Sequence, residues 1–84
     1  MSRKILKFHA TWCAPCKALS KTMTSMEISL PVEEIDIDAQ SDLAAKFGIR
    51  GVPTLVVVDG ETVIARSIGM KSKEQLATWI SENS

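Results

Sequence analysis

The chain has 84 residues, 45% of them apolar, and its ten basic and ten acidic residues leave a formal net charge of zero. That length sets one domain, residues 1–84, whose core removes only about 60–70% of the unfolded chain's surface from water. The apolar fraction excludes a disordered chain, and the charge balance speaks against a nucleic-acid binder and against electrostatic attachment to anionic lipid, both of which need a basic face.

The N-terminus, Met1-Ser2-Arg3-Lys4, is basic, but the apolar stretch behind it is broken at once by Lys7 and His9. No secretory core or cleavage site follows. The most apolar run, Val52 to Val58, is far too short to span a bilayer. A cytoplasmic, reducing location is the expectation. In such a compartment, two cysteines point to catalysis or metal binding rather than to a permanent staple.

Lys4 to Ala10 is a compact strand candidate. After Thr11-Trp12 and Cys13-Ala14-Pro15-Cys16, a helical pattern runs to about Glu27, with Ala18, Leu19, Thr22, Met23 and Met26 on one face. Pro15 suits the first turn of that helix, where its missing N–H is not needed. Val32 to Asp38 alternates as a second strand, Ile35 and Ile37 on one face and Glu34 and Asp36 on the other. Ser41 or a near neighbour can cap a short helix through Phe47, which Gly48 stops.

Arg50-Gly51-Val52-Pro53 reads as a loop, and Thr54 to Val58 as a strand buried on both faces. Asp59-Gly60 is a two-residue hairpin signal, with Thr62 to Ser67 as the return strand. Ser72 and Gln75 form a capping box that opens a last helix, with Leu76, Trp79 and Ile80 on its buried face. The order is β-α-β-α-β-β-α. A helical crossover makes the first two strands parallel, and the last two form an antiparallel hairpin. The expected fold class is α/β: a mixed four-stranded sheet flanked by helices.

The cysteine pair falls where a strand ends and a helix begins. Residues three apart in a helical turn share a face, so the two sulfurs can meet. Unpaired N–H groups and the positive end of the helix dipole favour a thiolate at Cys13. Cys16, one turn deeper, keeps its proton until needed. Cys13 then attacks a substrate disulfide, and Cys16 resolves the mixed disulfide. Zinc is the first alternative, but the only other soft ligand is His9, and a structural zinc site wants four. A purely structural disulfide would close too short a loop to stabilise much. An inert chance pair remains the third alternative.

Thr11-Trp12-Cys13-Ala14-Pro15-Cys16-Lys17 resembles the W-C-G-P-C-K active site of thioredoxins, and Gly48-Ile49-Arg50-Gly51-Val52-Pro53-Thr54 resembles their G-I-R-G-I-P-T segment. Asp59-Gly60-Glu61 and Ile68-Gly69 match further along, so the similarity covers nearly the whole chain. Compared with common thioredoxins, the chain lacks an N-terminal strand and helix. The resemblance implies a thioredoxin-like fold and a protein-disulfide reductase with no bound cofactor or metal, the Cys13–Cys16 disulfide being its redox group. It implies a cis bond before Pro53, facing the cysteines, and a shallow substrate groove lined by Trp12, Ala14, Pro15, Gly51, Val52, Gly69 and Met70. Implied partners are protein disulfides, ribonucleotide reductase among the candidates, and thioredoxin reductase as electron donor; the oligomeric state is open, with a monomer as the default.

Three positions depart from that pattern. Ala14 replaces a glycine, and His9 stands where an aromatic residue is common. Lys7 stands where the family carries a buried Asp, and Glu34 where the adjacent strand carries a Lys. The exchange suggests a partly buried Lys7–Glu34 pair behind Cys16, with Glu34 as a candidate base for it. The alternative is that Lys7 reaches solvent and Glu34 is a surface residue. His9 is read as a partly buried surface-layer residue, with a role near the thiolate as the alternative. Other functions to weigh are a glutathione-dependent, glutaredoxin-like reductase (with Lys17, Arg50 and Lys71 as the nearby cations), a non-catalytic binding subunit, and an oxidant or isomerase.

Overall fold

The computed structural model describes residues 2–84, so Met1, the first residue of the basic N-terminus, lies outside the described residues. The elements are β1 (Arg3–His9), α1 (Ala14–Thr24), β2 (Val32–Asp36), α2 (Ser41–Lys46), β3 (Thr54–Asp59), β4 (Thr62–Ile68) and α3 (Lys73–Asn83). The sheet order is β2-β1-β3-β4. β1 runs parallel to β2 and antiparallel to β3, and β3 runs antiparallel to β4.

Strand alternation divides the core between two faces of this sheet. On one face Ile5, Leu55 and Val57 meet Leu19 and Met23 of α1 and Leu76 and Ile80 of α3. On the other, Leu6, Phe8, Ile35, Val56 and Val58 are covered by Leu43 and Phe47 around α2, with the Phe8 and Phe47 rings 5.7 Å apart. β3 lies between two strands and under helices on both faces, so every residue from Thr54 to Val58 is buried. That explains why its sequence is an unbroken β-branched and aliphatic run rather than an alternating one.

Several boundaries differ from the sequence reading. α1 stops at Thr24 rather than near Glu27. Thr24 Oγ1 bonds back to the Ser20 carbonyl and Ser25 Oγ to that of Thr22, so the helix closes on its own hydroxyls. Met26 still packs against the core from outside the helix. β2 stops at Asp36, whose carboxylate accepts the Asp38 N–H at 2.9 Å and turns the chain. The N-cap of α2 is Gln40, the neighbour of Ser41, and it makes no side-chain cap bond. The hairpin loop is Gly60-Glu61, since Asp59 already pairs with Thr62. Gly60 takes φ +61° there, a value favourable only without a Cβ.

α3 opens as read: Ser72 Oγ accepts the Gln75 N–H and Gln75 Oε1 accepts the Ser72 N–H. Leu76 and Ile80 are buried below it, and Trp79 is half-buried beside them. Leu76→Ala should cost about 2–5 kcal/mol through lost burial and a residual cavity, and Ser72→Ala about 1 kcal/mol through the lost cap. Urea unfolding curves of the two variants check both magnitudes and their order.

Candidate functional site

The site is assembled by topology. β1 and β2 end at the same edge of the sheet from which β3 starts and to which β4 returns, because His9 pairs with Asp36, Phe8 with Thr54, and Thr54 with Ile68. The segments after β1, before β3 and after β4 therefore converge there. They carry, respectively, Trp12 to Cys16, Gly51 to Pro53, and Gly69-Met70.

Cys13 is the N-cap of α1, with extended backbone (φ −92°, ψ 103°). Its Sγ accepts the Cys16 backbone N–H at 3.1 Å. A sulfur thus takes the place that a Ser or Asp oxygen fills in ordinary helix caps. The two cysteines are joined as a disulfide, their Cα atoms 5.2 Å apart, well inside the reach of such a bond. Both are buried among Ala10, Val52 and Ile37. Ala14 and Pro15 are exposed in the first turn of the helix.

The Val52-Pro53 bond is cis. Pro53 is buried, and the Val52 carbonyl oxygen lies 3.7 Å from Cys13 Sγ. Thr54 Oγ1 donates to the Gly51 carbonyl at 2.7 Å, and the Gly69 N–H donates to the Pro53 carbonyl at 2.9 Å. These bonds tie the segment before β3 to its own strand and to the segment after β4. Gly69 takes φ +83°, where a side chain would be strained.

Trp12 is 67% exposed and Met70 48% exposed. Trp12 is not a core residue: its indole N–H donates to Asp38 Oδ2 at 2.9 Å, which holds the ring at the surface beside Cys13. Two members of this surface were missed in the sequence. Asp38, the anchor of the indole, lay inside a stretch read as strand. Ile68, 74% exposed next to Gly69, enters the sequence analysis only through the Ile68-Gly69 match and not as a groove residue. The signal for Ile68 was there, because a β-branched apolar residue ends the return strand just before the glycine turn.

Lys7 and Glu34 are direct neighbours on β1 and β2, and their side chains meet with Nζ to Oε1 at 2.9 Å. Lys7 is buried, so the reading in which it reaches solvent is overturned, while the Glu34 side chain stays 55% exposed. Alternation puts Lys7 on the same face as Ile5, under α1, and there its ammonium also bonds to Ser20 Oγ. Ser20 lies one turn beyond Cys16 on α1. Among the described residues no hydrogen bond joins Lys7 or Glu34 to Cys16 itself. His9 Nε2 is 3.8 Å from Glu34 Oε1, so the imidazole belongs with this charge pair. A surface hollow of about 400 Å³ opens beside Lys7, Ser20 and Glu34.

Among the described residues no group of three or more His, Cys, Asp or Glu side chains is placed to hold a metal ion. None of the described helices is long and apolar enough to cross a membrane.

The thioredoxin family model matches residues 2–82. Thioredoxin from Chlamydia muridarum is 34% identical over 82 residues, covering 94% of this chain and 80% of that protein. Thioredoxin from Bacillus subtilis is 31% identical over 80 residues, covering 90% and 77%. Among solved structures, a mutant thioredoxin from Halobacterium salinarum superposes with a TM-score of 0.88 at 28% identity, covering 98% of this chain and 74% of that one. Thioredoxin NaTrxh from Nicotiana alata gives 0.85 at 29% identity, covering 98% and 73%. Protein disulfides as substrates and a reductase as electron source go with the family in general. A vicinal cysteine pair on a helix N-terminus, in this fold and with these relatives, makes the chain a thiol–disulfide oxidoreductase with protein-disulfide reductase activity: it belongs to the thioredoxin family.

Proposed function

We propose that Cys13 is the attacking thiolate and Cys16 the resolving thiol of a cytoplasmic, monomeric protein-disulfide reductase folded as one domain. The observation that carries this assignment is the Cys16 N–H aimed at Cys13 Sγ from the first turn of α1. When the pair is reduced, that N–H and the helix dipole favour negative charge on Cys13 and leave Cys16 without the same support. Cys13 thiolate attacks one sulfur of a substrate disulfide, and the other sulfur leaves as a thiolate that takes up a proton. Cys16 then loses its proton and attacks Cys13 Sγ, releasing the second substrate sulfur. Two electrons pass from the dithiol to the substrate, and the protein is left with the Cys13–Cys16 disulfide. Holding both sulfurs three residues apart makes the second attack intramolecular, hence fast.

In this reading Trp12, Ala14, Pro15, Gly51, Val52, Pro53, Gly69 and Met70 form the substrate surface, extended by Ile68. The exposed edge beside Val52 can take an extended substrate segment as an added strand. The proposed electron donor is a flavin-dependent thioredoxin reductase, and ribonucleotide reductase is one candidate substrate.

Lys7 and Glu34 are proposed to govern proton loss from Cys16. Support comes from an ammonium sequestered against α1 one turn beyond Cys16, with a half-exposed carboxylate as its link to solvent. Any transfer between Glu34 and Cys16 then runs through water.

Two experiments test the two halves of the proposal. Insulin reduction with dithiothreitol, then with NADPH and thioredoxin reductase, should proceed in both cases and be abolished by Cys13→Ser. Turnover with glutathione and glutathione reductase but not with thioredoxin reductase would reverse the choice of donor. Separately, a trapped mixed disulfide at Cys13 should be resolved about tenfold more slowly in Glu34→Gln and in Lys7→Met than in wild type. Unchanged rates in both variants remove the pair from the mechanism.

A further inference from the structure

The net charge of zero conceals a polarised rim. The sheet order β2-β1-β3-β4 puts the segment after β2 at one end of the active edge and the segments around β3 and β4 at the other. The β2 end carries Asp36 and Asp38, the latter bonded to Trp12. The β4 end carries Arg50 and Arg66, which line one hollow of about 110 Å³ together with Ile49, Gly51 and Ile68. Arg66 reaches it because it pairs with Val56 and so shares the α2 face of the sheet with Thr54 and Ile68.

Both arginines are exposed. The cations in ion pairs among the described residues are Arg3, Lys4, Lys7 and His9, so among those residues neither Arg50 nor Arg66 has an acidic partner. Gly51 and Ile68 of this hollow are the chain neighbours of Val52 and Gly69, so the hollow that the two arginines line adjoins the proposed substrate groove. Guanidinium groups favour carboxylates through paired N–H donors.

We infer that Arg50 and Arg66 form a specificity rim that selects polypeptide substrates with an acidic side chain next to the reactive disulfide, the apolar part of the segment resting on Ile68. The inference rests on the reductase reading and names the substrate class that this site prefers. Selection of this kind acts on encounter and register more than on the chemical step, so it should weaken as salt screens the charges.

The experiment uses the reduced protein and three peptides that each contain one disulfide. They differ only in the residues two positions either side of one cysteine, which are Glu, Gln or Lys. At low ionic strength the second-order rate of reduction should be about three- to fivefold higher for the Glu peptide than for the Lys peptide. The ratio should fall towards one in about 1 M salt. It should also fall in Arg66→Gln and be retained in Arg66→Lys; Arg66 is exposed, so neither change threatens the fold. Equal rates for the three peptides, or a Glu preference untouched by Arg66→Gln, would overturn this inference alone. So would a preference confined to glutathione disulfide with no discrimination among the peptides, which would assign the rim to small anionic thiols. Failure to reduce any of the three would overturn the reductase reading, and the inference with it.

Discussion

At the junction of β1 and α1, one side chain serves both the fold and the chemistry. Cys13 caps the helix with its sulfur, accepting the Cys16 N–H, and that sulfur is also the proposed nucleophile. A helix must satisfy its first N–H groups somehow, and here the satisfying group is one whose ionised form the same N–H stabilises best. The remaining parts of the site are arranged around this cap. β1 delivers it to the edge of the sheet, and the Cys13 N–H bonded to the Ala10 carbonyl fixes the turn between strand and helix. Leu19 and Met23 anchor the buried face of α1 on Ile5, Leu55 and Val57, so the N-terminus of the helix cannot drift from the edge.

The groove depends on the same edge but on different segments. Gly51 to Pro53 and Gly69 are tied together by the Gly69–Pro53 and Thr54–Gly51 hydrogen bonds. The surface opposite the cysteines is therefore built largely from backbone. This suits recognition of many different substrate sequences, because main-chain groups bind main chain without reading side chains. Side-chain selection must come from the margins, which is the part inferred for the exposed Arg50 and Arg66 at the β4 end.

Local patterns carried much of this into the sequence. The capping box at Ser72 and Gln75, the unbroken apolar run of β3 and the spacing of Cys13 and Cys16 each depend on residues close in the chain, and each was legible. The Lys7–Glu34 contact was also anticipated, although only through resemblance to a family that carries the opposite charges there. What could not be read depends on partners far apart in sequence. The Trp12–Asp38 bond spans the β1–α1 and β2–α2 connections, and it is what keeps a large aromatic ring at the surface. The burial of Lys7 was expected only as part of that resemblance-based pair, because it follows from alternation along β1 combined with the position of α1, which no local pattern contains. The end of α1 was missed for a simpler reason. Met26 continues the apolar period, but the hydroxyls of Thr24 and Ser25 have already turned back onto helix carbonyls.

The central claim is that reduced Cys13 is ionised at neutral pH because of where α1 begins. Its most direct test is the pH dependence of alkylation of the fully reduced protein, with the modified residue identified by mass spectrometry. The account predicts that Cys13 reacts first and reaches half its limiting rate at least about one pH unit below the value near 8.5 of an unperturbed thiol. A half-point at the unperturbed value, or Cys16 reacting ahead of Cys13, would contradict it.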